Sequence, residues 1–205
     1  MLCGKVESKG GIHLQSQRKK LGAIAEIIPG LTGFEAEGPF KYQVIQPNNL
    51  TDTGALEGVI FQYRAEPLPT KQLLIPGDIL IKRLNPSFVF QVKELSANFT
   101  FSQNMFAIRP REGINSSYLA FLLEQPDVLG EIMHVTGKAA VVKAISAKML
   151  NDVEVPVPSM ATQQKIGKMW ELFRKRRQLL REYLAENEKM ESYLASKILY
   201  DGGIH

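Results

Sequence analysis

The chain has 205 residues, 44% of them hydrophobic, a net charge of +4 and a pI of about 9.1. This composition suffices for a packed core and permits, without demanding, a nucleic-acid partner. The single cysteine, Cys3, excludes a disulfide framework and a cysteine-rich metal site. The lack of a long apolar run or an N-terminal signal pattern sets the expectation of a cytoplasmic protein with no membrane span.

Met1 to Gln15 is glycine-rich and without period, and no element is predicted there. Leu21 to Ile28 is a short apolar segment closed by Pro29-Gly30. From there to Pro110 the pattern is one of strands and turns. Tyr42 to Ile45 ends at the turn cluster Pro47-Asn48-Asn49, and Val59 to Tyr63 alternates. Pro76-Gly77-Asp78 suits a type II turn, with proline and glycine at its central positions. Ile79 to Arg83 and Phe88 to Val92 flank Asn85-Pro86 as a hairpin, and Phe99 to Ile108 reads as one further strand region.

Helical spacing takes over at Asn115, a good N-cap, with Tyr118, Leu119, Leu122 and Leu123 on one face. Pro126 starts a second helix carrying Val128, Leu129, Ile132 and Met133, and Ser146 caps a short turn through Leu150. Val153, Val155 and Val157 alternate in a strand stopped by Pro156 and Pro158. Ser159 then caps a helix expected to run to about Leu199. That is about 40 residues, or about 60 Å, too long to lie wholly on its own domain. Ile166, Phe173, Leu180, Asn187 and Leu194 recur every seven residues along it, with Trp170, Leu184 and Ile198 four beyond three of them. This is a coiled-coil seam with one polar position in the sevenfold series, Asn187, of the kind that fixes register, while Arg177 and Glu191 also fall on the seam and predict a patchy rather than continuous contact. Lys165 to Arg181 contains seven basic residues and one acid, Glu171.

Several pieces recur in a known order. They are Leu21 to Gly30, Ile45-Gln46-Pro47-Asn48-Asn49-Leu50, Ile75 to Ile81, Phe106 to Pro110, Ile114 to Leu119, Gly137-Lys138, Ile145-Ser146, and Val155-Pro156-Val157-Pro158 followed by Gln163-Gln164 and Ile166. In this order and spacing the chain resembles one half of the specificity subunit of type I restriction–modification systems. The resemblance implies an α+β fold, with a mixed α/β target-recognition domain over residues 1–158 and a long coiled-coil helix over 159–205. It implies double-stranded DNA as the ligand and methyltransferase and restriction subunits as partners, with no catalytic residues, cofactor or metal of its own. A second copy of the helix, running antiparallel, is the simplest cover for the seam, so a homodimer is expected. Two other readings stay open: a recognition module separated from a fused DNA methyltransferase, and a coiled-coil scaffold for protein interaction.

Phosphate contacts need flexible cations, and base readout in the major groove suits amide and guanidinium groups with paired donors and acceptors. The basic candidates are Lys82, Arg83, Lys138 and Lys143, and the amide candidates are Asn48, Asn49, Gln103 and Asn104. Asn85-Pro86-Ser87-Phe88 is similar to the motif with which amino-methyltransferases grip a flipped base. The serine at its third position, and the absence of a glycine-rich cofactor turn, favour a simple hairpin turn. His13, His134 and His205 stand too far apart in sequence to suggest a metal site.

Overall fold

The computed structural model describes residues 16–33, 37–51, 53–95, 98–134 and 144–200. Its centre is an antiparallel four-stranded sheet in the order β2 (Ala25–Pro29), β8 (Met105–Pro110), β5 (Ile79–Lys82), β6 (Val89–Gln91). Side chains alternate across it, and both faces are covered. Ile79, Ile81, Val89, Phe106 and Ile108 point to a helical layer, while Leu80, Met105 and Ala107 point to a second core. That is why Ile79-Leu80-Ile81 reads as a continuous apolar run and is buried throughout.

The helical layer is built from α1 (Leu21–Ile24), α2 (Ser116–Leu123), α3 (Pro126–His134), α4 (Ala147–Asp152) and the first turns of α5 (Met160–Tyr200). Asn115 caps α2 by accepting the Tyr118 N–H at 2.9 Å, and Ser146 caps α4 by accepting the Met149 N–H at 3.2 Å. The second core faces a three-stranded sheet in the order β4 (Phe61–Ala65), β3 (Phe40–Ile45), β7 (Phe99–Phe101). β3 pairs antiparallel with β4 and parallel with β7. The apolar stretch Phe99 to Ile108 is therefore two strands in two sheets rather than one. The polar pair Gln103-Asn104 breaks it, and both residues are exposed in the turn where the chain crosses over. The Pro-Gly-Asp turn forms as expected: Gly77 has φ +98° and the Asp78 N–H reaches Ile75 O at 3.1 Å.

β1 (Gln17–Lys20) pairs only with β9 (Glu154–Val157). Pro156 is tolerated in this two-stranded edge, and its carbonyl accepts the buried Tyr118 hydroxyl at 2.8 Å. Burial pushes the Tyr118 phenol up to about 12, so it stays a donor.

The root of α5 is part of the helical core. Gln163 is buried; its amide donates to Pro158 O at 3.0 Å and to Gly113 O at 3.3 Å and accepts the Asn115 N–H at 2.9 Å. At Gly167 a Cβ would stand 2.7 Å from Asn115 Oδ1 and 2.9 Å from the Tyr118 nitrogen, so only glycine lets α5 cross α2 this closely. Trp170 is 6% exposed and Ile166 packs beside it. These two residues, expected at the start of the seam, face the chain's own domain instead. A helical stripe records which positions are apolar and not what covers them, and here α2 covers the first turns.

Candidate nucleic-acid interface

Separate loops converge at one end of the central sheet. After β5 the Arg83 N–H donates to Asn104 O at 2.8 Å, and Arg83 O accepts the Ile145 N–H at 2.8 Å. In the β7–β8 turn, the Ser102 N–H reaches Ile45 O at 3.0 Å and the Gln103 N–H reaches Leu31 O at 2.9 Å. The Lys82 ammonium donates to Leu50 O at 2.9 Å, tying the 3₁₀ turn Pro47–Asn49 to the same place. Asn85 has φ +47°, the left-handed conformation that an asparagine in a tight turn tolerates. The result is a polar edge on which Asn48, Arg83, Gln103 and Asn104 are exposed and Lys82 is half-buried.

Five of the expected contact residues are thus brought together from three separate stretches of sequence. Asn49 is not available. It is 2% exposed, its amide nitrogen donates to Glu57 O at 3.0 Å and Val59 O at 3.1 Å, and its oxygen accepts the Gln46 N–H at 2.9 Å. Every strong group on that side chain holds a loop, so its role is structural. Lys138 and Lys143 lie outside the described residues.

A second polar surface escaped the sequence reading. β3 and β4 set Lys41 opposite Arg64 and Gln43 opposite Gln62. Tyr42, Val44, Tyr63 and Ala65 turn the other way into a small core. Lys41, Gln62 and Arg64 are exposed. The alternation noticed at Val59 to Tyr63, carried two residues further, points to Gln62 and Arg64; their cross-strand partners could be known only from the pairing.

The angle between α5 and the domain is held by a buried node. Arg174 Nη1 donates to Glu124 Oε1 at 2.7 Å and to Val89 O at 2.9 Å, and Nη2 donates to Thr53 O. The Trp170 indole N–H donates to Glu124 Oε2 at 2.8 Å, and the guanidinium lies 4.7 Å over the Trp170 ring. Side-chain exposure is 13% for Arg174 and 9% for Glu124. Burial lowers the guanidinium's affinity for its proton and Glu124 opposes that shift; an arginine remains charged in either case. At Gly54, where φ is +71°, a Cβ would overlap the Arg174 guanidinium, so a larger residue there would both strain the backbone and push that side chain aside. A second ion pair, Asp78 with Arg109, is bidentate at 2.8 Å and braces the central sheet, and Asp78 raises the Arg109 pKa further.

Among the described residues no helix is long and apolar enough to cross a membrane, and no His/Cys/Asp/Glu group could hold a metal.

Residues 15–188 match the family described as the type I restriction modification DNA specificity domain. No curated protein matches the chain in sequence. Solved structures share its fold. One comes from work on complex assembly and conformational transition of the type I R-M system, with a TM-score of 0.65 and 20% identity over 94% of this chain and 47% of that one. The HsdS subunit from Thermoanaerobacter tengcongensis has a TM-score of 0.59 and 19% identity over 94% of this chain and 46% of that one. The type I S subunit from M. genitalium has a TM-score of 0.58 and 15% identity over 92% and 47%. The chain spans about half the length of each.

Proposed function

Because the chain belongs to the type I restriction modification DNA specificity family, we propose that it reads one half-site in duplex DNA, as one half of a specificity subunit. The observation that carries this reading is the edge where Asn48, Lys82, Arg83, Gln103 and Asn104 converge. Arg83 and Lys82 suit phosphate contact, and the exposed amides suit base edges in the major groove. The division of labour is a recognition domain up to Pro158 and a spacer helix beyond it. Methylation and cleavage fall to partner subunits, and this chain performs no chemistry itself.

The exposed stripe on α5 supports a homodimer. Phe173, Leu180, Leu184 and Ile198 are each more than half exposed, and Leu194 is 42% exposed. Removing one such side chain from water is worth about 1.5–3 kcal/mol, which favours a second copy as the cover.

The test is a gel shift with duplex DNA across a salt series. Affinity should fall with log–log slope of about −0.9 per phosphate contacted. The variants Arg83→Ala and Gln103→Ala should weaken binding, the first lowering the salt slope by about 1. Unchanged binding in both variants would displace the interface from this edge. Transfer of a labelled methyl group by the isolated chain would overturn the non-catalytic assignment.

A further inference from the structure

The strands β3 and β4 form a ribbon whose two faces are unlike. Tyr42, Val44, Tyr63 and Ala65 fill one face and are buried. The Tyr42 hydroxyl accepts the Leu68 N–H at 3.1 Å, which fixes the back of the ribbon to the chain that follows it. The other face carries two polar rungs. Lys41 stands directly opposite Arg64, and Gln43 directly opposite Gln62. Side chains two residues apart on a strand share a face, so the rungs lie about 7 Å apart on one surface. β7 pairs with β3 only from Gln43 onward, and β4 is the outer strand of its sheet. At the Lys41–Arg64 rung the sheet is therefore two strands wide.

None of these four side chains is tied into the fold. Lys41, Gln62 and Arg64 are exposed and Gln43 is half-buried, and none has a hydrogen bond or ion pair among the described residues. Glu37 and Glu66, the acids nearest in sequence, pair with neither cation. Like charges set opposite each other across a strand pair repel, so this rung costs stability that the domain does not recover within itself. An anion laid against it recovers that cost. A two-stranded ribbon fits the major groove of duplex DNA, which is about 12 Å wide. There cations meet phosphates, and a glutamine amide offers adenine both a donor for N7 and an acceptor for the N6 amino group. The distance between the rungs matches two base-pair steps of about 3.4 Å each. β3 also leads directly to the polar edge described above, since Ile45 O accepts the Ser102 N–H. Lys41 lies about 14 Å from Ile45 along the strand, so ribbon and edge stand about four base-pair steps apart.

Resting on the half-site reading above, we propose that the β3–β4 ribbon is a second DNA contact, in which Gln43 and Gln62 read adenine in the major groove and Lys41 and Arg64 hold the flanking phosphates. The test uses the full chain and a pool of duplexes with randomised cores. Bound duplexes are selected and sequenced for the wild type and for each single variant, Gln43→Ala, Gln62→Ala, Lys41→Ala and Arg64→Ala. The best duplex is then titrated across a salt series for the wild type and the two cation variants. None of the four side chains is fully buried, so the variants keep the fold. The half-site selected by the wild type should contain an A·T pair preferred about 5- to 150-fold over other pairs, and at least one glutamine variant should lose that preference while keeping the rest. Each cation variant should keep every base preference and lower the log–log salt slope by about 0.9. Base preferences unchanged in both glutamine variants, or a slope unchanged in both cation variants, would overturn the proposal and leave the half-site reading in place. A wild type that enriches no sequence would instead remove the half-site reading itself, and the ribbon's part in it.

Discussion

Glu124 receives hydrogen bonds from two elements: the Trp170 indole and the Arg174 guanidinium of α5, and the Val89 N–H of β6 at 3.3 Å. It sits at the C-terminal end of α2, so one carboxylate joins α2, the central sheet and α5. Glu124→Ala should cost about 3–5 kcal/mol in denaturant unfolding, because it leaves a buried guanidinium and an indole N–H without their acceptor. Adding Arg174→Met should recover part of that loss, since no charge is then left unpaired. A loss under about 1 kcal/mol for the single variant would mean the node is surface-like in its energetics. Neither Glu124 nor Arg174 stood out in the sequence. Arg174 opens a run of four basic residues and looks like the others; only burial separates it from Lys175 and Arg176, which are exposed. The same limit applies to Asn48 and Asn49. Both suited base reading by chemistry, but the 3₁₀ turn sends one side chain outward and the other into the loop it braces.

At the scale of elements, the helices, caps and turns were legible because their signals are local. Asn115, Ser146 and Gly77 act as their types require. The strand region Phe99 to Ile108 was harder, since apolar content alone does not tell which sheet each half joins. The start of the free seam was also hidden, because the cover for Ile166 and Trp170 is α2, far away in sequence. Beyond that root the apolar positions of the stripe are exposed, and their period makes a concrete expectation about length. Deleting one heptad, Leu180 to Glu186, keeps the stripe in phase while shortening α5 by about 10 Å. In the paired arrangement this brings the two recognition domains together by the same distance. The preferred spacer between half-sites should shrink by about three base pairs at 3.4 Å each. Competition binding with duplexes of graded spacer length would measure it; an unaltered preference would show that α5 does not set the spacing.

For the whole molecule, the family profile covers residues 15–188, while each solved relative is about twice as long. Two identical readers related by a two-fold axis recognise inverted copies of one half-site. The target of a complex whose only reader is this chain should therefore be a palindrome interrupted by a spacer. Mapping methylated bases in DNA treated with that complex checks this, and a single asymmetric site would contradict it. The overall class and this family resemblance were legible from the order of short motifs spread along the chain. The composition of the polar edge proposed to meet DNA was partly so, because its residues come from three distant stretches that only the fold brings side by side.

The node at Arg174 also sets a tolerance. From Arg174 to Tyr200, α5 extends about 39 Å. A swing of about 5° at its base carries the far end through about 3.4 Å, one step of the duplex. In the proposed antiparallel pair that far end is where the other domain would be mounted, so a lever fixed at one buried ion pair would have to hold its bearing to a few degrees for two readers to count base pairs without error. Loosening Glu124 or Arg174 would then act first on the precision of the count, widening the range of accepted spacers while each half-site is still read correctly.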